Sequence, residues 1–105
     1  MRDASIFLPK ILIVDDEPLA RKRLKQLLSD IFVFLPHSIV GEAGSAFEFK
    51  DKYNKLEPDI VFMDINLPDS SGLDIVGQYR NLTTEFIFLT ARGIVTGKQI
   101  GRAHV

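Results

Sequence analysis

The sequence predicts a doubly wound α/β domain built on a parallel sheet, and three observations carry that expectation. Short, wholly apolar runs rich in β-branched residues alternate with amphipathic stretches of helical period. Each apolar run stops abruptly at a polar side chain, as strands covered on both faces do. The chain, 105 residues with 46% hydrophobic and 26% charged side chains, holds one core and no second domain.

The elements follow in order. Ile11-Leu-Ile-Val14 reads as a buried strand ending at Asp15-Asp16-Glu17. Pro18 suits the first turn of a helix, and Leu24, Leu27, Leu28 and Ile31 recur at helical spacing opposite Arg21, Lys22, Arg23 and Lys25. Ser38 to Gly44 is a weaker strand, and Ser45-Ala-Phe-Glu48 is a capping box opening a helix to Leu56 with Phe49, Tyr53 and Leu56 on one stripe. Asp59-Ile-Val-Phe-Met63 is a third strand, closed by Asp64, and after the loop to Ser71 a helix from Gly72 to Leu82 is expected on Leu73, Val76 and Tyr79. Phe86-Ile-Phe-Leu89 is the fourth strand and ends on Thr90. Right-handed crossovers between parallel strands place ligands at the carboxyl ends of the strands, where Asp15, Asp16, Asp64 and Thr90 all fall.

Composition excludes several functions. A formal net charge of −1 supplies no field for nucleic acid or an anionic membrane. Zero cysteines exclude disulfides, a thiolate nucleophile and thiolate metal sites, and His37 and His104 read as separate surface residues. No apolar run has the length of a signal or a membrane span, so the expected compartment is the cytoplasm.

Carboxylates at adjacent strand ends would converge and repel, and the remedy is a hard divalent cation held by oxygen; magnesium fits a shallow site of this kind. Asp64 could then act as nucleophile toward a phosphoryl group, with the Thr90 hydroxyl donating to a phosphoryl oxygen. Taken singly, an Asp after a strand is most often a cap or turn former, but three at neighbouring strand ends are not. Asp69, Ser70 and Ser71 read as turn and cap residues, and the Arg21 to Lys25 run as a solvated helix face. Gly93 to Gln99 fails as a phosphate-binding P-loop, with three residues between its glycines where four are needed and Gln99 where Ser or Thr should stand.

Three motifs in order give the chain a resemblance to the CheY-like receiver domain of two-component response regulators: Ile-Leu-Ile-Val-Asp15-Asp16-Glu-Pro, then Val-Phe-Met-Asp64-Ile-Asn66-Leu-Pro68 with Gly72-Leu following, then Phe-Ile-Phe-Leu-Thr90-Ala91. The stretch Asp-Asp-Glu-Pro-Leu-Ala-Arg-Lys-Arg-Leu further resembles the receivers of LytTR-type transcription factors. The resemblance covers residues 9 to 91 and implies a flavodoxin-like fold. It also implies that Asp64 is the phosphoacceptor and that Asp16 binds Mg2+ directly, with Asp15 acting largely through water. Asn66 would offer its backbone carbonyl to the metal, Thr90 the switch hydroxyl and Ala91 a backbone N–H to the phosphoryl group. The implied phosphodonor is a phosphohistidine on a sensor histidine kinase.

After Arg92 the resemblance breaks off, so the fold is expected to be incomplete, with four strands and three helices and without the fifth strand and last helices of the family. Residues 1–91 read as the receiver, and 92–105 as an atypical tail of vector-encoded or frameshifted residues. Lys98 lacks both the strand before it and the proline after it that mark the family's lysine, which predicts impaired phosphoryl capture. An open edge at Phe86 to Leu89 and an uncovered face over Ile11 and Ile13 predict self-association, by edge pairing or by exchange of the tail with burial of Ile94, Val95 and Ile100.

The leading function is therefore a phosphorylation-controlled switch, not an enzyme, that meets DNA only through an effector domain outside this sequence and does not meet membranes. An aspartate-nucleophile phosphatase would need a second acid where Asn66 stands. A phosphorylation-independent interaction fragment is the third reading.

Overall fold

The protein is described here from a computed structural model covering residues 9–31, 38–79, 83–90 and 93–96. Strands β1 (Lys10–Val14), β2 (Ser38–Ala43), β3 (Ile60–Asp64) and β4 (Glu85–Thr90) are parallel, and helices α1 (Pro18–Ile31), α2 (Ala46–Leu56) and α3 (Gly72–Gly77) connect them. A fifth strand, β5 (Gly93–Thr96), completes the sheet order β2-β1-β3-β4-β5.

Side-chain alternation along the strands divides the core in two. Leu12, Val14, Val61, Met63, Phe86 and Phe88 face α2 and α3 and pack with Ala46, Phe49 and Ile75. Ile11, Ile13 and Phe62 face the other way and pack on Leu24 and Leu28 of α1. The register Ile11↔Ile60 through Val14↔Met63 aligns the carboxyl ends of β1 and β3, so the residues that follow them emerge together.

Four strands and three helices stand where the sequence placed them, and the differences have local causes. Leu27 and Ile31 are exposed although they share the apolar period of α1, because, of this stripe, Leu24 and Leu28 are the two that pack into the core against the sheet. In α3 the buried residue is Ile75 rather than Leu73, which is 39% exposed. This helix ends at Gly77, short of the expected Leu82: Gln78 is its C-cap, its N–H donating to the Ile75 and Val76 carbonyls, and residues 80–82 lie outside the described residues. A bulge in β2 lies between the Ile11↔Ile39 and Leu12↔Gly41 pairs. Glu57 closes α2 in the left-handed region (φ 48°, ψ 61°), its N–H donating to the Tyr53 carbonyl.

Two premises of the expected self-association are corrected. The Phe86 to Leu89 edge is not open: Gly93–Thr96, which the sequence left without an element, pairs antiparallel with β4 from Thr90↔Gly93 to Ile87↔Thr96. A strand therefore does precede Lys98, but it runs away from the carboxyl ends of the parallel strands. Nor is the face over Ile11 and Ile13 bare, because α1 covers it and leaves both residues buried. Ala91, Lys98, Ile100, His37 and His104 lie outside the described residues, as do the side chains of Ile94 and Val95.

Candidate functional site

Asp15 is the first residue past β1, one position beyond the Val14↔Met63 pair, and Asp64 is the last of β3. Shared register therefore brings them side by side, and Asp16 joins them. One carboxylate oxygen from each of Asp15, Asp16 and Asp64 lies within 4.8 Å of the other two. Asp15 is 8% exposed, Asp64 half-buried and Asp16 exposed, so the cluster opens from the sheet end toward solvent.

Asp15 is held at three points. Its N–H donates to the Ala43 carbonyl (3.0 Å), its Oδ1 accepts from the Glu17 N–H (3.0 Å), and its carbonyl accepts from Arg21 Nη1 (2.5 Å). The Glu17 carbonyl then accepts the first helical bond, from the Arg21 N–H, and Pro18 costs nothing because the N–H it lacks would have no helical acceptor at that position.

The loop after Asp64 is equally fixed. Asp64 Oδ1 accepts from the Asn66 N–H (3.0 Å), Asn66 bridges to Ser71, and the Gly72 N–H donates to the Ile65 carbonyl (2.8 Å). Gly72 is required by close approach: a Cβ there would lie 2.4 Å from the Asp64 carbonyl oxygen. Ser71 caps α3 through Leu73, as its residue type predicts. Asp69 is a cap as well, but of a different helix. It reaches across to α2 and accepts from the Ala46 (2.7 Å) and Phe47 (3.0 Å) N–H groups, which hold its carboxyl below the ordinary range. Ser45 caps the same helix through the Glu48 N–H, while Glu48 reaches back to the Gly44 N–H.

Electrostatics mark Asp64 as the unusual member. Burial pushes its carboxyl above the ordinary value; the Asn66 N–H opposes this, and the charges of Asp15, Asp16 and Glu17 add to the rise. Three oxygen donors in reach of one small volume are the donor set a hard divalent ion takes. The cluster is also the one group of three or more potential metal ligands among the described residues. Thr90, half-buried, stands one residue past Leu89, the register partner of Asp64, so β4 carries a hydroxyl to the same sheet end.

The sequence reading missed Glu42. On β2 it accepts from Arg21 Nε (2.8 Å) and Lys25 Nζ (2.6 Å), while its backbone carbonyl accepts from Lys52 Nζ. Arg21 and Lys25 are thus not a purely solvated face. Their i, i+4 spacing on α1, opposite a lone carboxylate in the following strand, was the available signal.

The sequence matches the model of the response regulator receiver domain over residues 11–101. The transcriptional regulatory protein BtsR of Salmonella typhi is 48% identical over 86 residues, which are 78% of this chain and 34% of BtsR. The sensory transduction protein LytR of Staphylococcus haemolyticus is 42% identical over 84 residues, 78% of this chain and 32% of LytR. The chain spans about a third of the length of these curated relatives. Among solved structures, the response regulator PhyR from Brucella abortus superposes with a TM-score of 0.69 at 33% identity, over 82% of this chain and 35% of PhyR. The MaeR response regulator bound to beryllium trifluoride gives 0.69 at 26% identity, over 80% of this chain and 68% of MaeR.

Proposed function

The chain belongs to the family of response regulator receiver domains of two-component systems, and from that premise we propose that it takes a phosphoryl group onto Asp64 from the phosphohistidine of a sensor histidine kinase. The observation that carries this reading is the convergence of Asp15, Asp16 and Asp64 at adjoining strand ends.

Asp16, exposed and nearest to solvent, is the direct Mg2+ ligand; Asp15, buried and occupied by the Glu17 N–H, acts largely through water. The Asn66 backbone carbonyl and Asp64 complete the set. Bound Mg2+ would offset the repulsion among the carboxylates and the charge on the incoming phosphoryl oxygens. A carboxylate oxygen of Asp64 attacks phosphorus, the bond from phosphorus to the donor imidazole nitrogen breaks, and the imidazole leaves with that electron pair. The Thr90 hydroxyl and the Ala91 N–H then donate to phosphoryl oxygens, so the new charge is read out at the end of β4. The MaeR response regulator, which superposes on this chain, is bound to beryllium trifluoride, and this supports an anion-accepting site here.

The antiparallel course of β5 favours reduced performance. It runs away from the carboxyl ends of the parallel strands, and Lys98, without the following proline of the family's lysine, is not expected to give captured phosphate a charge-assisted contact. The phosphorylation-independent fragment is the second reading, and it rests on this same strand. Output to DNA would pass through a separate effector domain, and the proposed compartment is the cytoplasm. No helix among the described residues is long and apolar enough to cross a membrane.

The test is labelling with acetyl phosphate and Mg2+. One acid-labile phosphate is expected, weak and short-lived, and Asp64→Asn should abolish it. Equal labelling of the Asn variant would overturn the assignment of Asp64, and no labelling despite Mg2+ binding would favour the phosphorylation-independent reading.

A further inference from the structure

A cation beside a Mg2+ site should oppose the metal, yet Arg21 is built into the wall of this one. Its guanidinium spans two acceptors, with Nη1 on the Asp15 carbonyl (2.5 Å) and Nε on Glu42 Oε1 (2.8 Å). Glu42 is itself immobilised, because Lys25 takes its other oxygen (2.6 Å) and Lys52 its backbone carbonyl. With its side chain 19% exposed, Arg21 is therefore held in one geometry.

The peptide joining Asp15 to Asp16 is planar, so fixing the Asp15 oxygen fixes the plane from which Asp16 departs. The Asp15 N–H is already bound to the Ala43 carbonyl. The two clamps together leave little freedom in the backbone that presents both acidic side chains.

We propose that Arg21, anchored by Glu42, is a positioning residue for the acidic site: it orients the Asp15–Asp16 peptide so that both carboxylates are aimed at the metal. The inference rests on the Mg2+ reading above and deepens it. Charge and positioning here predict opposite signs. If Arg21 acted only as a nearby positive charge, removing it would tighten Mg2+ binding. If it positions the peptide, removing it weakens binding, and loss of supporting contacts of this kind costs metal sites about ten- to a hundredfold in affinity.

The experiment is calorimetric titration of the full 105-residue chain with Mg2+. Arg21→Gln should weaken binding by about tenfold. Arg21→Lys, which keeps the charge but cannot fork between Asp15 and Glu42, should weaken it nearly as much. Glu42→Gln should give a smaller loss in the same direction. Leu28→Ala, which loosens α1 from its buried face a distance along the helix, should lower thermal stability while leaving Mg2+ affinity at the wild-type value. Unchanged or tighter binding by Arg21→Gln overturns the inference alone, and so does a Leu28→Ala loss as large as that of Arg21→Gln. A wild-type chain that binds no Mg2+ overturns the reading of the site, and the inference with it.

Discussion

Strand β3 begins just after one aspartate and ends on another, and the two are put to opposite uses. Asp59, at the amino end, is part of a closed hydrogen-bonded belt. Its Oδ2 accepts from the Lys10 N–H (2.8 Å), its own N–H donates to the Lys10 carbonyl (2.8 Å), and its carbonyl accepts from the Glu85 N–H (2.9 Å). Beside it, Thr84 gives its single hydroxyl proton to the Pro58 carbonyl (2.9 Å), so Tyr53 must be the donor in the 2.9 Å contact between the two hydroxyls. Three strands are stitched together there. At the carboxyl end Asp64 receives the Asn66 N–H and otherwise faces Asp15, Asp16 and Glu17. One end of the sheet is arranged for stability, and the other gathers like charges that a ligand can exploit.

The contrast can be broken most severely at Gly72. Placing Ala there sets a Cβ 2.4 Å from the Asp64 carbonyl oxygen and 2.9 Å from Met63 Cγ. Overpacking against backbone should cost about 3 kcal/mol, more than the helix propensity that Ala gains. Urea denaturation measures this loss, and Mg2+ binding should weaken in the same variant because the carbonyl of Asp64 has to move.

Asp59→Ala comes next. It leaves the part-buried Lys10 N–H without its acceptor, and a loss of about 2 kcal/mol is expected in the same denaturation experiment. Because the damage is confined to the amino end, Mg2+ affinity should be unchanged; a weakened metal site would show that the two ends are coupled.

Asp64→Asn should give the smallest change, and of opposite sign. Without Mg2+ it should stabilise the fold by about 0.5–1 kcal/mol at neutral pH, a value kept small because solvent screens a half-buried group. The pH dependence follows from the raised pKa of Asp64. A carboxyl whose folded pKa lies above its unfolded one contributes stability that is fully present below the ordinary value of 3.8 and lost as pH rises through the raised value. The wild-type chain should therefore fall behind the Asn variant over that interval and stay behind at higher pH, as read from thermal unfolding at a series of pH values. Saturating Mg2+, which binds the folded wild type, should close the gap.

Much of the fold was legible because its signals are local. Ile11 to Val14 and Ile60 to Met63 are continuous apolar runs, and a run of that kind leaves few choices besides a covered strand. The capping box at Ser45 and Glu48 placed the start of α2, since a capping hydroxyl acts only on its own first turn. Helix stripes were less legible. Leu24, Leu27, Leu28 and Ile31 have the same chemistry and period, but which of them is buried depends on the angle at which α1 crosses the sheet. The same holds for Leu73 and Ile75 in α3.

By itself the sequence determined that carboxylates would close two apolar strands and that parallel pairing would bring such ends together, since both follow from strand period and crossover handedness. Tertiary structure alone decided the direction of β5, the partnership of Arg21 with Glu42 and the Asp15 carbonyl, and the reach of Asp69 to the start of α2. Residues 21 and 42, or 46 and 69, meet only after the strands between them have found their register. A glycine-rich segment such as 93–97 has no alternation strong enough to fix the sense in which it pairs, so the neighbouring edge of β4 fixes it instead.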